Sequence, residues 1–146
     1  VLDWCVQAAI DIVTVFEDDA IASSDCNESL LPFLESVPAN WDMIYLGGQL
    51  LKKKENPPQK VNDLCFRAFN VNRMHAYMIR GGMIRIARDY LLAHETWAGK
   101  HHCDHRLGEL HTSRNVYIPK RWLFGQSAHR SDISGFRHGT TFWFWD

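Results

Sequence analysis

Apolar residues along the chain follow two rhythms. Leu2, Val6, Ala9 and Ile10 share one face at helical spacing, which predicts a short helix. Ile12–Phe16 is apolar or β-branched at every position, as expected of a strand covered on both sides. Ser23, Ser24 and Asp25 offer capping side chains before a helix over about 28–36, which carries Pro32 and is stopped by Pro38. Met43–Leu46 reads as a second buried strand, ended by Gly47 and Gly48. Residues 52–62 are polar, contain Pro57-Pro58 and predict a surface loop. Strands follow at 64–69 and 76–79. Gly81-Gly82 then opens a helix whose Met83, Ile84, Ile86, Ala87, Tyr90 and Leu91 are spaced for packing. A helix near 104–111, a strand at 115–118 and an aromatic tail through Phe142-Trp143-Phe144-Trp145 complete the pattern. Strands alternating with helices predict an α/β fold with a mostly parallel central sheet flanked by helices.

Composition narrows the picture. The 146 residues suit one domain spanning 1–146, and 46% hydrophobic with 23% charged residues is the balance of a globular chain. Sixteen basic against seventeen acidic residues give a formal net charge of -1, which argues against a general role on nucleic acid. No apolar run reaches the roughly 18–20 residues of a membrane span. Cys5, Cys26, Cys65 and Cys103 form no C-x-x-C pair, so neither a zinc ribbon nor a dense disulfide framework is indicated, and reduced thiols are the preferred reading.

The candidate chemistry begins where the first strand ends. Glu17, Asp18 and Asp19 follow Phe16 directly, and apolar residues resume at Ala20 and Ile21. Open α/β sheets bind ligands outside the carboxyl ends of their strands. Three carboxylates in one turn repel each other in a low-dielectric cleft unless a cation neutralises them or a pKa rises. Oxygen-only donors suit Mg²⁺ or Mn²⁺, which keep open positions for phosphate oxygens. An acidic turn that merely caps the next helix accounts for the same three residues equally well.

Read together, V-F-E-D-D-A, W-D-M-I-Y-L-G-G, H-A-Y-M-I-R-G-G-M, a late Asp, Y-I-P and Q-S-A-H-R-S-D-I resemble glycosyltransferase family 25 in order and spacing, from Val13 to Ser134. That family includes lipooligosaccharide and collagen galactosyltransferases. The resemblance implies a GT-A-like fold and metal-dependent, inverting transfer of a hexose, galactose or glucose, from a nucleotide-diphosphate donor such as a UDP-hexose to a glycan, glycolipid or protein. It implies Mn²⁺ or Mg²⁺ held by Glu17, Asp18 and Asp19, with His129 as a late nitrogen ligand, and Asp104 as the base that deprotonates the acceptor. Gln126, Ser131 and Asp132 match the closing motif, and Arg80 and Arg130 are the cations expected near phosphate. Arg80 stands where the family has Ser. The family also carries an upstream strand and helix that help hold the nucleotide, so a reduced enzyme or a piece of a longer chain is expected. Such an enzyme would be cytoplasmic or membrane-peripheral in a bacterium or virus, and luminal in a eukaryote.

Two other readings stay open. One is a carbohydrate-binding or scaffold remnant of the same fold that has lost donor binding. The other is a zinc-dependent hydrolase built on His94, His101, His102, Cys103, Asp104, His105 and His111, where His101 and His105 have i, i+4 spacing but the Glu of H-E-x-x-H is missing. Trp97 is the aromatic residue best placed to stack on an acceptor sugar, whereas Trp41 is expected to pack in the core.

Overall fold

A computed structural model describes residues 1–94, 102–130 and 137–145, with the side chains of 129, 130, 137 and 138 left out. The helices are α1 (Leu2–Gln7), α2 (Cys26–Ser36), α3 (Gly82–Ala93) and α4 (Cys103–Glu109). The strands are β1 (Ile12–Phe16), β2 (Ala20–Ala22), β3 (Met43–Leu50), β4 (Gln59–Lys60), β5 (Cys65–Arg67), β6 (Val71–Arg80), β7 (Val116–Pro119), β8 (Phe124–Gln126), β9 (His129–Arg130) and β10 (Arg137–His138).

The main sheet has the order β1-β6-β3-β7-β5-β4. Helices cover both of its faces, and strand period two decides which side chain meets which layer. Met43, Tyr45, Tyr77, Ile79, Val116 and Ile118 pack with α1, α3 and α4 through Cys5, Met83, Ile84, Ala87 and Leu107. Their neighbours Ile44, Leu46, Ala76 and Tyr117 pack on the other side with Cys26 and Phe33 of α2. This is the α/β layering expected from the alternation of elements.

The expected parallel sheet is corrected. Among the described residues only β3 and β7 run parallel, while β1–β6, β3–β6, β5–β7 and β4–β5 are antiparallel. The link between the neighbours β4 and β5 is a few residues long, too short for the crossover of a dozen or more residues that a parallel neighbour needs. β6 inserts between β1 and β3, against the direction of both.

Two further expectations change. β1 is an edge strand, with Ile12 48% and Phe16 50% exposed, so it is not covered on both sides. β3 does not stop at Gly47 but continues to Leu50. Both glycines lie in the ladder because their neighbours leave no room for a side chain. A Cβ on Gly47 would collide with the His75 ring and the Phe124 carbonyl, and one on Gly48 would meet Val71 Cγ1 at 2.5 Å.

All four cysteines are free thiols, and Cys5, Cys26 and Cys65 are buried. Trp41 packs against the α2 side of the core, as expected. The aromatic tail also folds back onto the domain, where Trp122 Nε1 donates to the Trp143 carbonyl at 2.7 Å. Among the described residues no helix is long and apolar enough to cross a membrane.

Candidate functional site

The acidic turn lies between β1 and β2. Its backbone is fixed by Glu17 N–H donating to the His75 carbonyl at 3.0 Å and Ala20 N–H donating to the Glu17 carbonyl at 3.1 Å. β2 pairs with β8 in the register Ala20↔Gln126, which brings a residue more than a hundred positions away alongside Asp19. Gln126 Nε2 donates to Asp19 Oδ2 at 3.0 Å, and Ser127 N–H donates to the Asp19 carbonyl at 2.7 Å.

Asp104, the second residue of α4, lies near enough for its charge to act on Glu17. The register of β3 against β6 slips between Gly47↔Ala76 and Gln49↔Asn72, which leaves extra residues on β6. There Arg73 takes a positive φ of 73°, a conformation that bulges allow and that L side chains rarely adopt. Arg73 N–H, turned out of the ladder, donates to Asp104 Oδ2 at 3.3 Å, and His105 N–H donates to Oδ1 at 2.8 Å.

The electrostatics agree with this convergence. Glu17 stays exposed to solvent, yet partial desolvation raises its carboxyl above its ordinary pKa, and the negative charges of Asp19, Asp104 and Asp18 raise it further. Arg73 pulls in the opposite direction. A carboxylate whose folded pKa is raised stabilises the protein only while it is protonated, and that contribution is lost as pH rises through the folded pKa. Glu17→Gln is therefore expected to raise the thermal midpoint at neutral pH, with little change at a pH below the ordinary Glu value. Differential scanning calorimetry at the two pH values checks this.

A neighbour to which the sequence reading gave no role is His75. It is fully buried, its Nε2–H donates to the Phe124 carbonyl at 3.3 Å, and its ring lies 5.7 Å from Trp143. Burial lowers its pKa, offset in part by the Phe124 carbonyl and by Asp19. Arg73 was missed as well; its guanidinium sits 4.9 Å from the Trp143 ring centre. Neither carried a sequence signal, because both owe their position to the irregular pairing of β6.

Other expected residues fall elsewhere. Arg80 pairs with Ile12, at the opposite end of β1 from Glu17. Its Nε donates to the Trp41 carbonyl at 2.6 Å, a second nitrogen donates to the Ala39 carbonyl, and it lies over the Trp41 ring. The structure thus gives Arg80 an anchoring role and does not bring it to the acidic turn. His129 and Arg130 form β9, but their side chains lie outside the described residues, as do Ser131, Asp132, Trp97 and His101.

The histidine cluster of the hydrolase reading is spread out. His111 is buried in the core, accepting from Val71 N–H through Nδ1 at 3.1 Å and facing the Tyr45 hydroxyl through Nε2 at 3.3 Å. His94 Nδ1–H donates to the Tyr90 carbonyl at 2.7 Å, and the His102 and His105 rings are 5.9 Å apart. Among the described residues no three His, Cys, Asp or Glu side chains converge to hold a metal ion. The donor chemistry at the acidic turn nevertheless suits a hard divalent cation, since its donors are carboxylate oxygens and the charges around Glu17 raise that carboxyl's pKa.

No family model matches the chain, and no curated protein matches it.

Proposed function

We propose that the chain is a metal-dependent hexosyltransferase related to glycosyltransferase family 25, with a GT-A-like fold. The observation that carries this reading is the meeting of three distant parts of the motif series. Glu17–Asp19, Asp104 and Gln126 come from three separate elements and occupy one end of the sheet.

In this reading Asp19, with Glu17 and Asp18, holds Mn²⁺ or Mg²⁺, and Gln126 fixes the Asp19 carboxylate. When bound, the metal would neutralise the charge that builds on the diphosphate leaving group. Asp104, held by the amides of Arg73 and His105, takes the proton of the acceptor hydroxyl. That oxygen bonds to the anomeric carbon as the carbon's bond to the nucleoside diphosphate breaks, with inversion. Arg73 balances part of the negative charge. The donor would be a UDP-hexose and the acceptor a hydroxyl of a glycan, glycolipid or protein.

Calorimetric titration with UDP, with and without Mn²⁺, tests the reading. Binding that requires the metal is expected; no binding in either condition would overturn it for residues 1–146. A carbohydrate-binding domain without transfer is the second reading, favoured by the open arrangement of the carboxylates.

A further inference from the structure

A cleft of about 300 Å³ lies along the ladder that starts at the acidic turn. Ser23, Ser24 and Asp25 line one side, and Arg121, Phe142 and Phe144 line the other. The ladder itself fixes the arrangement. Ser23 N–H donates to the Leu123 carbonyl at 2.8 Å just past β2, and Thr141 exchanges both backbone hydrogen bonds with Gln126 on the other edge of β8.

The wall chemistry is specific. The Phe142 and Phe144 rings are parallel within 8°, with centroids 5.7 Å apart, and Phe144 is 47% exposed. The Arg121 guanidinium lies 5.0 Å from the Phe144 ring centre. Facing them, the Asp25 carboxyl is held below its ordinary pKa by the Ser23 hydroxyl, then by its own backbone, then by Arg121. The cleft therefore offers apolar ring faces, an acceptor-only carboxylate, a donor-only guanidinium and the Ser24 hydroxyl. A pyranose presents the complement: C–H groups on one face for the aromatic rings, and hydroxyls round its edge that both donate and accept. One negative and one positive group give no net preference for a charged ligand.

We infer that this cleft binds a neutral sugar ring of a glycan. The inference rests on the transferase reading for one point, that the glycan is the acceptor. Asp19 and Ser23 are joined by the extended β2, four residue steps or roughly 13 Å. A sugar in the cleft is thus a ring or two behind the reacting hydroxyl, and short oligosaccharides are the ligands that span both places.

The test is amide NMR on the isotope-labelled chain, titrated with lactose, maltotriose and sialyllactose in the absence of UDP and metal. Saturable shifts are expected at residues 23–25, 121 and 142–144 with lactose or maltotriose. Phe144→Ala and Arg121→Ala, both at exposed positions, are expected to weaken them at least tenfold while the remaining spectrum stays unchanged. Asp19→Ala is expected to leave them intact. No shift in the cleft with either neutral sugar, unchanged affinity in Phe144→Ala, or tighter binding of sialyllactose than lactose would overturn the inference. Sugar binding without any UDP binding would keep the cleft and remove its acceptor role. UDP binding without sugar binding would remove the cleft alone.

Discussion

On the proposed reading, Asp19→Ala is expected to abolish metal-dependent UDP binding while the protein stays folded. This is the largest functional effect expected of a single substitution. Asp19 is the turn carboxylate that β8 orients, through the 3.0 Å bond from Gln126. Loss of a group that merely orients a metal ligand costs about 10–100-fold in affinity, so loss of the ligand itself should reach at least the upper figure. The structural cost includes the side-chain hydrogen bond from Gln126, a bond of a kind worth about 0.5–1.5 kcal/mol, while the Asp19 carbonyl keeps its bond from Ser127. Two measurements separate these effects. Calorimetry with UDP and Mn²⁺ reads the binding, and thermal unfolding reads the fold. Mn²⁺ should also raise the thermal midpoint of the parent chain, by mass action on the folded state, and leave that of Asp19→Ala unmoved. Parent-like UDP affinity in the variant would remove Asp19 from the metal site.

The second large effect is loss of stability in mild acid, centred on His111. Its complete burial lowers its pKa to about 3. Val71 N–H donates to Nδ1, so the neutral ring carries its proton on Nε2, which donates to the Tyr45 hydroxyl oxygen. The unfolded chain protonates this histidine near its ordinary value, whereas the folded chain resists. Between the two values the unfolded state binds more protons, so stability is full above about 6.5 and falls as pH drops towards 3. Each pH unit in that window contributes about 1.4 kcal/mol, several kcal/mol in all and a large share of an ordinary domain's stability. His75, whose pKa is also lowered by burial, acts with the same sign. Urea denaturation across this pH range should show the loss. His111→Asn, which retains an acceptor for Val71 N–H without titrating there, should be less stable at neutral pH and show a shallower acid slope. An unchanged slope would place the acid sensitivity elsewhere.

Much of the layered architecture was legible in the residues. The unbroken apolar runs at 43–46 and 76–79 carry alternate side chains into the two cores, and the spacing of Met83, Ile84 and Ala87 defines the buried face of α3. Strand direction was not legible. A parallel and an antiparallel neighbour bury the same alternate side chains, and the choice is made by backbone hydrogen bonds and by the length of the connections. Gly47-Gly48 misled for a related reason. Two glycines ordinarily punctuate a strand, but here they admit the His75 ring, the Phe124 carbonyl and Val71 to a strand that continues.

The candidate site divides in the same way. By itself the sequence determined the α/β layers, the carboxylate turn at the end of β1 and the even charge balance, because hydrophobic period and residue type are local properties. Tertiary structure alone decided that Gln126 orients Asp19, that Asp104 charges the same region, that Arg73 is turned towards it and that Arg80 is held at the far end of the sheet. It also drew His111 out of a candidate metal cluster and into the core. These are long-range facts, set by which strand edge each backbone found to satisfy its hydrogen bonds, and side-chain pattern along the chain does not encode that choice.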